Sequence, residues 1–140
     1  IMQYQDDQRE DKLPQILRRS DVEKVKKAIE IIENDLEKNY SVDYLAKEVG
    51  TNVNKLQEGF KYLLDLTVNK YVQQMKLEKA KEMLSSPEYN ISQVVTMIGL
   101  NNRSYFAKIF KEKYGVSPKY FMNTQREKSQ EDQNWNDSEE

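Results

Sequence analysis

One ten-residue pattern occurs twice in this chain, and a repeat of that length limits the fold more than any other feature. Ser41-Val42-x-x-Leu45-Ala46-x-x-Val49-Gly50 is matched by Asn90-Ile91-x-x-Val94-Val95-x-x-Ile98-Gly99. Phe60-Lys61 lies ten residues after the first Gly and Phe110-Lys111 eleven after the second. Asp65-Leu66-Thr67 then answers Gly115-Val116-Ser117, and Tyr71 answers Phe121. In each copy a residue suited to capping a helix opens an apolar pattern at spacings of three and four. Each pattern closes on Gly, which turns left-handed without a Cβ penalty. A short capped helix, a Gly-centred turn and a second capped helix make the helix-turn-helix plan.

The remaining pattern is helical too, and with only 4 Gly and 3 Pro the chain reads as all-α. The spacing predicts a helix capped by Asp21, with Val22, Val25, Ile29, Ile32 and Leu36 inward, ending at Asn39-Tyr40. Val42, Leu45, Ala46 and Val49 form the inward stripe of the next helix. Asn52 caps a third, which carries Val53, Leu56, Phe60 and Leu63 inward. A long helix from about Val68 to Leu84 repeats Tyr71, Met75, Leu77, Ala80 and Leu84 before Ser85-Ser86-Pro87 stops it. The expected organisation is a domain over 21–124, with one unit at 41–67, a connecting helix at 68–84 and a second unit at 90–122. Residues 1–20, mostly charged and interrupted by Pro14, read as a flexible arm or linker. Residues 125–140 read as a disordered acidic tail, its last eleven residues holding one apolar side chain, Trp135. A chain that opens on Ile1-Met2 reads as part of something longer.

Overall charge appears at odds with a polyanionic partner, because 22 Lys+Arg against 24 Asp+Glu leave −2. Its distribution removes the conflict. Residues 1–39 hold 8 basic and 10 acidic groups, 40–124 hold 12 and 8, and 125–140 hold 2 and 6. Within 91–122, Arg103, Lys108, Lys111, Lys113 and Lys119 face only Glu112. Residues 41–72 balance four against four. The chain has no Cys and no His, which removes disulfides, Cys/His metal sites and the common Ser-His and Cys-His catalytic arrangements. No catalytic centre, metal or cofactor is expected. No apolar run approaches the roughly 18 residues of a membrane span, and a cytoplasmic protein is the expectation.

Three segments are more specific than pattern alone: Leu45-Ala46-Lys47-Glu48-Val49-Gly50; Leu77-Glu78-Lys79-Ala80-Lys81-Glu82-Met83-Leu84; and Ile98-Gly99-Leu100-Asn101-Asn102-Arg103-Ser104-Tyr105-Phe106-Ala107-Lys108-Ile109-Phe110-Lys111 with Tyr114-Gly115-Val116-Ser117-Pro118. Over roughly Asp21 to Met122 the sequence resembles the AraC/XylS family of bacterial transcription regulators. The resemblance implies a seven-helix module of two helix-turn-helix units joined by a long central helix, each unit offering a recognition helix to adjacent major-groove segments of double-stranded DNA. It also implies RNA polymerase as a partner and a sensing, dimerising or signal-receiving domain outside this chain. A 17-residue helix is about 25 Å long, of the order of the roughly 34 Å between successive major-groove faces.

Candidate readers follow from position. Arg103, near the start of the second recognition helix, can make a bidentate contact to guanine O6 and N7. Lys108, at a base-contacting position that the family usually fills with Arg, can reach a base or a phosphate. Ser104 and Ala107 share that outward face and suit base edges or a thymine methyl. Asn101 and Asn102 cap the helix, whose first N–H groups can hold a phosphate, and Lys111 is a further backbone contact. Tyr105, Phe106, Ile109 and Phe110 read as core by spacing, and Tyr62, Tyr71, Tyr114 and Tyr120 as core or core edge. The first recognition helix offers Asn54, Gln57 and Glu58 to bases, Gln57 suiting adenine, and Lys55 and Lys61 to the backbone. Glu58 stands where the family commonly has Arg. Two readings remain there: a carboxylate accepting from cytosine N4, or a helix weakly engaged with DNA. Asp65 replaces the family's Gly and forces a strained or altered turn. Lys70, Lys76, Lys79 and Lys81 on the connecting helix can approach the DNA backbone but read first as solvent-exposed, with Glu78 and Glu82 beside Lys79 and Lys81 for local pairing. The rival to DNA recognition is a helical protein-interaction module that has lost DNA binding, motivated by the net charge and Glu58.

Overall fold

The computed structural model describes residues 18–139, apart from the side chains of 129 and 131–139. Seven helices and no strand are found among the described residues: α1 Arg19–Asn34, α2 Val42–Val49, α3 Val53–Leu64, α4 Val68–Leu84, α5 Ile91–Met97, α6 Arg103–Tyr114 and α7 Pro118–Glu139. The described residues form two compact units, one ending at Met75 and the other beginning at Lys76, with the division falling inside α4.

In the first unit α1 starts two residues before the expected Asp21 cap. Arg18 is the cap, and its N–H donates to Asp21 Oδ2 at 2.8 Å, so Asp21 acts from within the first turn and is buried. Residues 1–17 of the expected arm lie outside the described residues. The other end of α1 is earlier than the spacing predicts. It stops at Asn34 and leaves Leu36 packed beyond it, while the Tyr40 hydroxyl lies 3.0 and 2.7 Å from the carbonyls of Ile31 and Asp35. That hydroxyl, with one proton to give, covers the carbonyl side of the helix end, and Asp35 N–H closes on Ile32 O at 3.4 Å. Burial, and then the Asp35 carboxylate, raise the Tyr40 hydroxyl above its ordinary pKa.

Val22, Val25, Ala28 and Ile32 of α1 are buried. Val25, Ala28 and Ile32 share a core with Leu45, Ala46 and Val49 of α2, Leu56 and Phe60 of α3, and Val68, Tyr71 and Val72 of α4. Phe60 meets Tyr71 edge-on at 5.7 Å, and the Tyr71 hydroxyl donates to Glu33 Oε1 at 2.9 Å. Gly59 has a packing reason: a Cβ built there would run into Val25 Cγ2. The bare backbone of α3 admits α1.

The second unit repeats the plan with other side chains. Leu77, Ala80, Met83 and Leu84 of α4 pack with Ile91, Val94 and Val95 of α5, Ile98, and Phe106, Ile109 and Phe110 of α6. Phe110 lies 5.7 Å from Phe106, 4.7 Å from Tyr114 and 5.8 Å from Phe121, so an aromatic cluster takes the place of Phe60 and Tyr71. Lys81 Nζ sits 4.8 Å from the centre of the Tyr114 ring, a cation–π contact. Burial, then Glu78, raise the Tyr114 hydroxyl pKa. From residue 125, where composition predicts a disordered tail, the backbone is helical to Glu139. No Gly or Pro follows Pro118, and Arg126 Nη2 fixes the helix by donating to Tyr89 O at 2.8 Å.

Helix ends repeat as the sequence does. Gly50 and Gly99 both have φ 79, and Thr51 N–H donates to Ala46 O at 2.8 Å as Leu100 N–H does to Val95 O at 3.0 Å. These are paired Schellman closures. Gly115 ends α6 at φ 80, and Asp65 ends α3 at φ 57, the one described non-Gly residue with positive φ. The altered turn expected at Asp65 is therefore a left-handed aspartate, a residue whose short polar side chain tolerates that region. Thr67 and Ser117 then cap α4 and α7, their hydroxyls accepting from the N–H groups of Lys70 at 3.2 Å and Tyr120 at 3.1 Å.

Gly59→Ala is expected to destabilise the protein by about 1 to 3 kcal/mol through overpacking against Val25. Urea unfolding measures it, and an unchanged midpoint would mean α1 yields without cost.

Candidate nucleic-acid interface

α6 begins because Asn102 Oδ1 accepts from Tyr105 N–H at 2.9 Å. Asn102 is thus the capping residue; Asn101 lies before it, exposed. Phe106, Ile109 and Phe110 turn inward. The opposite side carries Ser104, Lys108 and Lys111, all exposed and spaced i, i+4, i+7, so that they form one ridge. Ala107 is half-buried at its edge. Lys108 and Lys111 make no ion pair among the described residues. Arg103 is exposed at the head of the helix, its Nη1 donating to Ser92 Oγ of α5 at 3.3 Å. That long, solvent-facing bond orients the guanidinium and is readily exchanged.

α3 is built in the same register fifty residues earlier, and Asn52 caps it by accepting from Lys55 N–H at 2.9 Å. Its ridge is Asn54, Glu58 and Lys61, all exposed. An open depression beside it is lined by Asn52, Val53, Asn54, Lys55 and Glu58. Chemically this ridge is unlike the other. Glu58 occupies the place of Lys108, and Lys61 points to Asp65, 2.8 Å away, with both side chains largely in solvent. Gln57 leaves the expected set. It is half-buried, and its Oε1 accepts from Val68 N–H at 3.0 Å across the α3–α4 turn. An amide used to start α4 is poorly placed for the two-bond contact that adenine recognition needs.

Three expectations about other residues change. Tyr105 and Tyr120, read as core or core edge, are 46% and 62% exposed. Tyr105 is one turn before buried Ile109, which is why spacing counts it inward. At about 100° per residue it falls some 120° from the line between Phe106 and Phe110, and that angle is the signal that marks it as a surface aromatic. Lys76, read as solvent-exposed, is 4% exposed and donates through Nζ to Ile98 O at 2.6 Å. A lysine between Met75 and Leu77, with Gln73, Gln74, Glu78 and Lys79 close by in sequence, gives no sign that a carbonyl awaits it. Lys79 does form the local pairing expected, 3.7 Å from Glu82.

A family model described as a helix-turn-helix domain matches residues 45–124. Histidine kinase P4 of Formosa agariphila is 30% identical over 105 residues, 74% of this chain and 8% of its own length. An uncharacterized HTH-type transcriptional regulator in the cgkA 5′ region of Pseudoalteromonas carrageenovora is 30% identical over 100 residues, 71% of this chain and 59% of its own. The chain therefore spans less than two thirds of either relative. Among solved structures, a transcriptional regulator with an AraC-type DNA-binding domain from Chromobacterium violaceum shares the fold with a TM-score of 0.69. It is 22% identical, over 73% of this chain and 91% of that one.

Gln57→Ala is expected to cost about 1 kcal/mol of stability by orphaning Val68 N–H, with the bases selected by the protein unchanged. Chemical denaturation beside a binding-site selection checks it. Unchanged stability with an altered base preference would return Gln57 to the readers.

Proposed function

The chain belongs to the AraC/XylS family of helix-turn-helix transcription regulators, and from that premise we propose that it reads a specific double-stranded DNA sequence with its second unit as the principal reader and carries no catalytic centre of its own. The ridge of α6 carries this reading: Ser104, Lys108 and Lys111 stand together outside the Phe106, Ile109 and Phe110 core, with Arg103 at the head. An α-helix fits the major groove, where base edges differ in their donors and acceptors. Arg103 is assigned to guanine, Lys108 to a base or phosphate, and Ser104 and Ala107 to base edges or a thymine methyl. Asn101, Lys111 and the first-turn N–H groups that Asn102 leaves open are assigned to the phosphate backbone.

The first unit is the weaker reader. Asn54 remains for base edges and Lys55 and Lys61 for the backbone, but Glu58 sets a carboxylate at the middle of the ridge. The match to part of a histidine kinase supports reading the chain as a recognition module joined to signal-receiving parts in a longer protein. RNA polymerase is the proposed second partner and the cytoplasm the proposed compartment. The rival, a protein-interaction module, is favoured by Glu58 and by the net charge of −2. Titration of random-sequence duplexes at two salt concentrations separates the two. Binding that weakens steeply with salt supports the DNA reading; absent or salt-insensitive binding transfers the function to the rival.

Arg103→Ala is expected to cost about 1 to 3 kcal/mol on the selected site and to relax preference at one base pair. Lys111→Ala should weaken all sequences alike and flatten the salt dependence by about one unit. Unchanged sequence profiles in the first variant would remove Arg103 from the readers. Glu58→Gln should strengthen binding to every duplex by about threefold, the scale of one screened surface charge. Loss of a cytosine preference instead would make Glu58 a direct reader.

A further inference from the structure

We infer that Lys76 is a positioning residue for the second reader: its buried ammonium holds the turn between α5 and α6 and thereby sets the register in which α6 meets DNA. The inference rests on the DNA-reading function proposed for α6. A buried ammonium is strongly unfavourable unless it is hydrogen-bonded, and Lys76, 4% exposed, donates to Ile98 O at 2.6 Å. Ile98 ends α5, where the aligned peptide dipoles leave negative charge, so the carbonyl is a good acceptor for a cation.

The turn that follows is the place where the two units differ in length. From Gly50 the capping residue Asn52 is reached through Thr51 alone; from Gly99 the capping residue Asn102 is reached through Leu100 and Asn101. An added residue adds two soft backbone dihedrals. Gly99 and Leu100 donate to Thr96 O and Val95 O at 3.0 Å, which ties the start of the turn to α5. Lys76 adds a tie from α4 at the carbonyl preceding Gly99. Arg103, the proposed guanine contact, comes immediately after the Asn102 cap. Any freedom in the turn is passed to the guanidinium at the helix head.

The experiment uses the 140-residue chain with Lys76→Met, Lys76→Gln and Lys76→Arg, a duplex selected by the unsubstituted chain from a random pool, and a scrambled duplex of equal length. The affinity ratio of selected to scrambled duplex should fall about tenfold in Lys76→Met, the scale of one good base contact. Affinity for the scrambled duplex should stay within about twofold and the salt slope should not change, since Lys76 touches no phosphate. Lys76→Arg should restore the ratio. Hydrogen exchange at the amides of residues 100–105 should be faster in Lys76→Met than in Lys76→Arg, a readout that needs no DNA. If Lys76→Met does not fold, Lys76→Gln carries the same criteria, because its side chain is polar but uncharged and one atom too short to reach the carbonyl that the ammonium holds. A folded variant lacking the ammonium that keeps both the ratio and the exchange rates overturns the inference, as does a loss shared equally by both duplexes. An unsubstituted chain that selects no sequence would instead overturn the reading of function, and the exchange rates would still decide the role of Lys76.

Discussion

Each unit depends on a few residues that must turn left-handed. α2 and α5 have 8 and 7 residues, too short to persist as helices alone. Their stability comes from apolar faces folded onto their neighbours, and the chain reverses sharply enough for this only by passing through positive φ at Gly50 and Gly99. Gly115 and Asp65 do the same after α6 and α3. A Cβ at Gly50 or Gly115 would meet nothing within 4 Å, so the requirement there is one of backbone conformation and not of space. Once these angles are set, Phe60 and Phe110 arrive at the centres of their units, both fully buried. Everything outward, including both ridges, follows from where those two rings lie.

The two ridges show how little of this architecture determines chemistry. α3 and α6 have the same length, cap and inward phase, yet one places Glu58 where the other places Lys108. The second ridge also keeps its charges in solvent, whereas Lys61 of the first lies against Asp65. Asp65 therefore has two effects. It occupies a left-handed position at which Gly is cheaper, and it draws a cation toward the helix end. Exposed pairs of this kind contribute little to stability; their weight is in the local field presented to a polyanion.

Most of the architecture is legible in the sequence because repeats, caps and Gly positions are local signals. Ser41, Asn52, Asn90 and Asn102 all cap as their patterns imply. Departures arise where a distant group intervenes. α1 ends early because Tyr40 returns to its last carbonyls, and α7 continues where composition alone reads disorder. Lys76 looks like any exposed lysine until folding brings Ile98 O to it. Gln57 fits a reader by its place on α3, but the carbonyl group of its amide faces Val68. Spacing measures where a side chain starts; it does not tell which backbone group will claim its end.

Gln57 also bears on how such a module can change its target over time. Recognition helices diverge by exchanging outward side chains while the scaffold is preserved, a freedom that requires the exchanged residues to have no second duty. Gln57 has one, because it completes the first turn of the next helix. On the proposed assignment of readers, a lineage moving toward a new target sequence can vary Asn54, Glu58, Ser104 and Lys108 freely, but each replacement at 57 must first be compatible with folding. The reachable specificities of the first unit are therefore fewer than the surface of α3 advertises, and a genetic selection for altered targets should return variants unevenly along that helix.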